Sequence, residues 1–425
     1  MSVVHLRPGS ATGDVRAPPS KSYTHRALVV GHLTRRRYRV RGPLDADDTR
    51  ATASAVGELG TPVRRAWGFW DVLAPAEGAP RERRARVNCG ESGTTLRFIS
   101  ALAALAERPV RVTGAPRLSE RPIDELLAAL RRLGASCRHV GNEGFPIEIR
   151  GPIHAGAVSV DASRSSQFAS ALLLALPTLD GDSSLTLTGR IVSEPYIDAT
   201  LAMLAAHHVP FERRGRTFRF HGPHRFEGRG FTVPGDASSA AYLWAAAATG
   251  GGKVHVDGVP RGWPQADLAV LDLLRSAGAV VSRSAGGATV SAGRRTPFRV
   301  DLTNAPDLYP LAGALAAVTS GTSYLLGAEH VVGKETDRKA ETAALARKFG
   351  ATVRTRPGEM RIEGVSRPRA LRVDRFTDHR MIMSAAVGAL AAERESILGD
   401  ATAVRKSFPG FWDVLGTITG GVRSG

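Results

Sequence analysis

An α/β fold built from repeated units is predicted by two features of this sequence. Six times a short polar or basic cluster opens a run of alanine and leucine long enough for a buried helix, and the clusters recur every 69 to 73 residues. They begin at Lys21 (KSYTHRAL), Gly93 (GTTLRFIS), Ser165 (SSQFASAL), Ser238 (SSAAYLWA), Asp307 (DLYPLAGA) and Asp378 (DHRMIMSA). Short apolar strands and second, amphipathic helices lie between them, which favours an α/β architecture over an all-helical array. Each cluster puts Ser, Thr, Asp or a basic side chain at a helix start, where free N–H groups and the positive end of the helix dipole attract anions. Helix starts of this kind, if aimed at one point, would form a phosphate trap.

The elements follow in order. Ser2 to Leu6 reads as a strand able to pair with the last segment of the chain. Tyr38 to Val40 is a strand, and Gly42-Pro43 turns the chain into a helix from about Asp48 to Leu59. Val110 to Val112 is a strand; Ile123 to Leu133 is a helix with Leu126, Leu127, Leu130 and Leu133 at helical spacing and Gly134 as its stop. Ile197 to Ala206 and Ala340 to Phe349 repeat the device. Each repeat therefore reads as strand, helix, strand, helix, strand. A boundary is expected at the turn Pro234-Gly235-Asp236.

A chain of 425 residues with 43% apolar content supports two sizeable cores, hence two domains of three repeats. No apolar run reaches the ~18 residues of a membrane span and the start MSVVHLRPGS has no apolar signal core, so a soluble cytoplasmic chain is expected. Cys89 and Cys137 match no metal or redox spacing and read as buried small side chains. The net charge of +17 is dispersed; only runs such as Arg35-Arg36-Arg37 and Arg83-Arg84 stand out, and these read as solvated faces rather than a nucleic-acid surface. Lysine is more telling. Only Lys21, Lys253, Lys334, Lys339, Lys348 and Lys406 occur among 57 basic residues, so lysines inside motifs are suspects for work that a guanidinium cannot do. Amides are equally scarce (Asn88, Asn142, Asn304, Gln167, Gln265), which fits selection against thermolabile residues and makes Gln167, inside a cluster, conspicuous.

Three segments concentrate chemistry. Lys21, Ser22 and Arg26 open one helix, with Ser22 and Arg26 a turn apart. Lys334-Glu335-Thr336-Asp337-Arg338 brackets carboxylates with cations, and Arg380 opens an otherwise apolar helix, an odd choice unless an anion meets it. With the other elements PSKSYTHRA, LDADDTR, GESGTTLR, LSERPID, DASRSSQF, SEPYIDAT, GDASSAA, APDLYP, GKETDR, TDHRM and KSFP, the chain from about Pro18 to Pro409 resembles the 5-enolpyruvylshikimate-3-phosphate synthase family.

That resemblance implies two similar domains, each of three βαβαββ units, with helix N-termini converging on the interdomain cleft. The domains would be 1–19 plus 236–425, mainly the phosphoenolpyruvate side, and 20–235, mainly the shikimate 3-phosphate side. It assigns Lys21, Ser22, Arg26, Ser165, Ser166, Gln167, Ser193, Tyr196, Asp307 and Lys334 to shikimate 3-phosphate. Phosphoenolpyruvate is assigned to Lys21, Gly93, Arg121, Gln167, Arg338, Arg380 and Lys406, since two anionic groups on a small molecule need several fixed cations. The implied chemistry is addition and elimination through a tetrahedral intermediate, with Asp307 as base at the 5-hydroxyl, Glu335 as acid and then base at the methylene carbon, and Lys21 and the arginines stabilising charge. The resemblance also implies inhibition by glyphosate at the phosphoenolpyruvate site beside Gly93. No metal or cofactor is expected, and no nucleic acid or membrane partner; a monomer is. Departures from the family pattern are Glu91, Val332, Glu194 and Phe98. The rival readings are a UDP-sugar enolpyruvyl transferase, whose reactive cysteine is replaced here by Pro116, and an RNA-binding or RNA-end-processing protein, suggested by charge alone.

Overall fold

Six four-stranded sheets and six apolar core helices, with further helices between them, form the structure, a computed structural model that describes residues 3–75 and 85–424. The Arg83-Arg84 run and Ser2 lie outside the described residues. The core helices are Lys21–Leu33, Gly93–Ala103, Ser166–Ala175, Ala237–Gly250, Tyr309–Ala317 and His379–Ala389. All six are buried over most of their circumference, because a helix that is apolar all round can only be surrounded by protein. Alanine and glycine let neighbours come close: a Cβ at Gly313 would overlap Thr342 Cγ2 of the adjoining helix Arg338–Lys348.

The repeat is seen whole in residues 157–221. Strand Ala157–Asp161 leads into the core helix and returns as the parallel strand Asp182–Thr188; helix Pro195–Ala206 then leads to the hairpin Glu212–Arg214 and Thr217–His221. Reading the residues alone found one strand after the second helix where there are two. The extra strand, Glu212–Arg214, is exposed at every position and offers no apolar alternation to detect. Other boundaries move by at most two residues: Asp47–Glu58, Asp124–Arg132, Pro195–Ala206 and Arg338–Lys348 are the helices, and Tyr38–Arg41 and Val110–Thr113 the strands. The Asp307 cluster differs most. A 3-10 turn, Pro306–Leu308, holds Asp307, and the α-helix starts only at Tyr309.

The chain forms two units, Met1–Pro18 with Pro234–Gly425, and Pro19–Val233. Each has three sheets. In the first, Val3–Leu6 pairs antiparallel with both Ser396–Gly399 and Val422–Ser424, and Ala11–Arg16 pairs in parallel with Gly252–Asp257, so the N-terminal segment supplies strands to two repeats. In the second, Gly230–Thr232 supplies the parallel partner of Tyr38–Arg41 and closes the first repeat. Cys89 and Cys137 are buried free thiols, pushed up to about 12 and about 11 by burial.

Candidate functional site

The helix starts position the candidate side chains. Ser92, Ser165, Asp236 and Asp378 each cap a core helix by accepting a backbone N–H of its first turn, which fixes where the next residues point. Ser20 precedes the Lys21 helix without capping it by its side chain.

In the Pro19–Val233 unit, Lys21 donates to Asp48 Oδ2 at 2.9 Å, and both are largely buried. Arg26 is more committed than its sequence pattern suggests. Its Nε donates to Thr200 Oγ1 (2.9 Å), Nη1 to the Ser22 carbonyl (3.0 Å), and Nη2 to the Tyr196 carbonyl (2.7 Å) and Ser170 Oγ (3.3 Å). Four of its five donors are therefore spent on protein, leaving one on Nη1 for a ligand. Burial lowers it to about 10, and it lies 5.5 Å from the ring centroid of Phe98, the residue at a departure from the family pattern. Gln167 Nε2 donates to Thr94 Oγ1 (3.1 Å). Ser166 and Ser193 are buried, and Ser193 sits at φ +55°, a left-handed conformation rare for a residue with a Cβ and typical of strained functional positions.

Gly93 is hemmed in. A Cβ there would overlap Arg97 Nη1 and come within 2.8 Å of Arg121 Cζ and Nη2. Arg97 donates to the Pro122 and Gly93 carbonyls, tying the Arg121 segment to the Gly93 helix. Beneath these groups a chain of polar contacts runs from His25 Nδ1 to Thr52 Oγ1 (2.7 Å), on to Thr95 Oγ1 (2.6 Å) and to Ser92 Oγ (2.7 Å). Burial lowers His25 to about 3, so it is a neutral strut between helix starts.

The other unit holds a connected ionic network. Arg338, 1% exposed, donates through Nε to Asp378 Oδ2, Nη1 to Asp307 Oδ1 and Nη2 to Glu335 Oε2, each at 2.7 Å. Arg380 Nη2 donates to Asp307 Oδ2 at 2.7 Å, Lys334 Nζ lies 3.6 Å from Asp307 Oδ1, and Lys406 Nζ lies 4.0 Å from Glu335 Oε1. All six candidates of this unit thus meet, with Asp378 added. Burial alone would raise Asp307, but Arg380, Lys334 and Arg338 hold its carboxyl well below the usual range. The same three carboxylates drive Arg338 upward against the opposing effect of burial.

Sequence reasoning missed Asp267. It is 1% exposed; Oδ2 accepts the Ser238 hydroxyl, and Oδ1 is buried without a hydrogen-bond partner. Burial and then the charge of Asp307 push it up to about 6. The signal was present in Gln265, the other surviving glutamine of a nearly amide-free chain: its Oε1 accepts Ala237 N (2.9 Å) and its Nε2 donates to the Gly235 carbonyl (2.8 Å), pinning the helix start that carries Ser238. Of the remaining departures, Glu194 accepts from Arg213 (2.7 Å), and Glu91 and Val332 are exposed. Among the described residues no group of three His, Cys, Asp or Glu is arranged to hold a metal ion, and no helix is long and apolar enough to cross a membrane.

The fold class is that of an EPSP synthase from Acinetobacter baumannii, whose structure superposes with a TM-score of 0.82 over 100% of both chains at 24% identity. Sequence goes further. The family model described as EPSP synthase (3-phosphoshikimate 1-carboxyvinyltransferase) matches residues 7–415. The 3-phosphoshikimate 1-carboxyvinyltransferase of Thermococcus kodakarensis is 40% identical over 95% of this chain and 96% of its own, and that of Methanoculleus marisnigri is 38% identical over 96% and 97%. The chain belongs to the EPSP synthase family.

Proposed function

We propose that the chain transfers the enolpyruvyl group of phosphoenolpyruvate to the 5-hydroxyl of shikimate 3-phosphate, releasing phosphate. The observation that supports the residue assignment best is the network joining Asp307, Lys334, Glu335, Arg338, Arg380 and Lys406, which four separated segments bring together. Each cation there is already screened by a carboxylate, so an incoming anion must exchange with Asp307 or Glu335. That exchange sets the base. While Arg380 and Arg338 grip Asp307 its proton affinity is too low for it to take a hydroxyl proton; once substrate anions draw those guanidinium groups away, its affinity rises with substrate in place.

The 5-hydroxyl oxygen then attacks C2 of phosphoenolpyruvate as Asp307 takes its proton, and Glu335 delivers a proton to C3. In the second half Glu335 removes a proton from C3, the double bond re-forms and phosphate leaves from C2. Lys21, Arg121, Arg380 and Lys406 stabilise the carboxylate and the departing phosphate. In this reading the Pro19–Val233 unit supplies most of the shikimate 3-phosphate contacts: Ser22, Arg26 through its one remaining donor, Ser165, Ser166, Gln167, Ser193 and Tyr196. The cationic unit supplies Arg338, Arg380 and Lys406 to phosphoenolpyruvate. Phosphate release that requires both substrates tests the reaction; release with either substrate alone would contradict it.

A further inference from the structure

The Arg35-Arg36-Arg37 run is exposed, and two of its members border a cleft of about 860 Å³, wholly within the Pro19–Val233 unit, lined by Arg36, Arg37, Arg39, Arg41, Arg225 and Arg229. Strand alternation explains the wall. Tyr38 and Val40 are buried, so Arg39 and Arg41 fall on the opposite face of the sheet. Across the parallel ladder Arg39 faces Gly230, which has no side chain, and a Cβ there would overlap the Arg39 carbonyl.

Like charges this close need an internal counter-ion, and Asp71 supplies it. Its fully buried carboxylate accepts Arg39 Nε (2.8 Å) and Nη2 (3.0 Å), Arg37 Nη2 (2.8 Å) and Arg64 Nη2 (3.1 Å), and Arg39 also lies 4.2 Å from the Phe69 ring centroid. Hydrogen bonds from Arg39, and then from Arg37 and Arg64, hold Asp71 well below the ordinary carboxylate range although burial opposes them. Arg37 and Arg39 are thereby fixed in place, while Arg36, Arg41, Arg225 and Arg229 have no carboxylate within ion-pair reach among the described residues. Glu227 is the one acid in the lining.

Against these six guanidinium groups stand only Asp71, shared with Arg64, and Glu227, and the excess is more than a single phosphate of about −1.5 to −2 neutralises. The volume falls in the range of about 300 to 1,000 Å³ usual for small-molecule sites. The only aromatic ring in the lining, Phe226, is buried, so no platform exists in the cleft for stacking a base. We propose that this cleft binds a chain of linked phosphates, such as inorganic tripolyphosphate or the triphosphate of a nucleotide, at a site separate from the candidate catalytic residues. Guanidinium forks match such oxygens bidentately.

The test is calorimetric titration of tripolyphosphate, and separately of ATP without divalent cations, into the full chain at low ionic strength. Arg225 and Arg229 are exposed, so Arg225→Ala/Arg229→Ala should fold normally; Arg41→Gln is the second variant, and Arg380→Ala reports on the candidate catalytic network. One site is expected, weakened roughly a hundredfold by the double change, less by Arg41→Gln and not at all by Arg380→Ala. Equal affinities for the two probes assign recognition to the phosphates alone; tighter ATP supports a nucleotide as the source. No binding overturns the proposal. So does binding lost in Arg380→Ala but kept in the double variant, or binding of single-stranded RNA that tripolyphosphate does not displace.

Discussion

Replacing Arg380 with alanine removes the guanidinium that donates to Asp307 Oδ2 at 2.7 Å from a position only 4% exposed. If Arg380 grips phosphoenolpyruvate, the loss of a hydrogen bond to a charged group costs about 1.5 to 3 kcal/mol, roughly a ten- to 150-fold rise in KM for that substrate. The KM for shikimate 3-phosphate should change far less. A second effect follows from the network. Arg380 is the first-ranked charge opposing burial at Asp307, so its removal raises the proton affinity of that carboxylate, and the acid limb of kcat/KM moves to higher pH. Arg338 and Lys334 remain near Asp307, so the group is not orphaned and the shift is partial. Initial rates of phosphate release, with each substrate varied in turn across the pH range, read both effects. Equal weakening of both substrates would refute the assignment of Arg380, and an unmoved acid limb would refute the control of Asp307 by its cations.

Three other perturbations test the same geometry. Asp267→Asn should raise stability at neutral pH: the folded-state value of about 6 against 3.8 unfolded means that wild type loses stability as pH rises between these values, by up to about 3 kcal/mol, and a variant whose advantage in urea unfolding does not grow from pH 4 to 7 would contradict this. Arg338→Met strands Asp378 and weakens the hold on Asp307 and Glu335, so it should cost about 3 to 5 kcal/mol in the same unfolding assay; a loss below 1 kcal/mol would show that the network is not structural. Gly93→Ala tests the glyphosate inhibition beside Gly93 that the family resemblance implies. The structure adds that the methyl meets Arg97 and Arg121, so the KM for phosphoenolpyruvate should rise along with the inhibition constant, and a change in inhibition alone would place the methyl elsewhere.

What could be read from the sequence was whatever repeats along it. The six core helices announced themselves because each is apolar on every side and opens on a polar group, and Ser165 and Asp378 act as caps within the clusters that flagged them. Asp307, Lys334, Glu335, Arg338, Arg380 and Lys406, all in motifs of the first unit, meet in one network. What escaped depends on partners distant in the chain. Asp71 looks like an ordinary strand residue until the hairpin register sets it between Arg39 and Arg64. Asp267 is a lone acid in an apolar stretch whose partner, Ser238, lies on another helix. Arg26 reads as an open hook, yet Ser170, Tyr196 and Thr200 from a later repeat take three of its five donors. Pairing of this sort depends on packing, and no local pattern encodes it.

The same cost of burying charge explains why the two units present their ligands with different chemistry. A buried cation left without acceptors costs several kcal/mol, so Arg338 and Arg380 come with Asp378, Asp307 and Glu335 and Lys21 with Asp48, while Arg26 is met by hydroxyls and carbonyls. A neutral hydroxyl costs far less to bury than a charge, so Ser165, Ser166 and Ser193 need no counter-acid. Consequently substrate recognition and folding are coupled in the cationic network: each residue that would grip an anion also holds the protein together, through carboxylates that the anion must displace. Substitutions there should lower stability and activity together, whereas removing the hydroxyl of Ser166 should lower substrate affinity and leave urea unfolding nearly unchanged, and removing that of Ser165, which caps its helix, should cost only about 1 kcal/mol. Loss of stability equal to that of Arg338→Met in either serine variant would mean that the hydroxyls, too, are structural, and the division of labour argued from charge would fail.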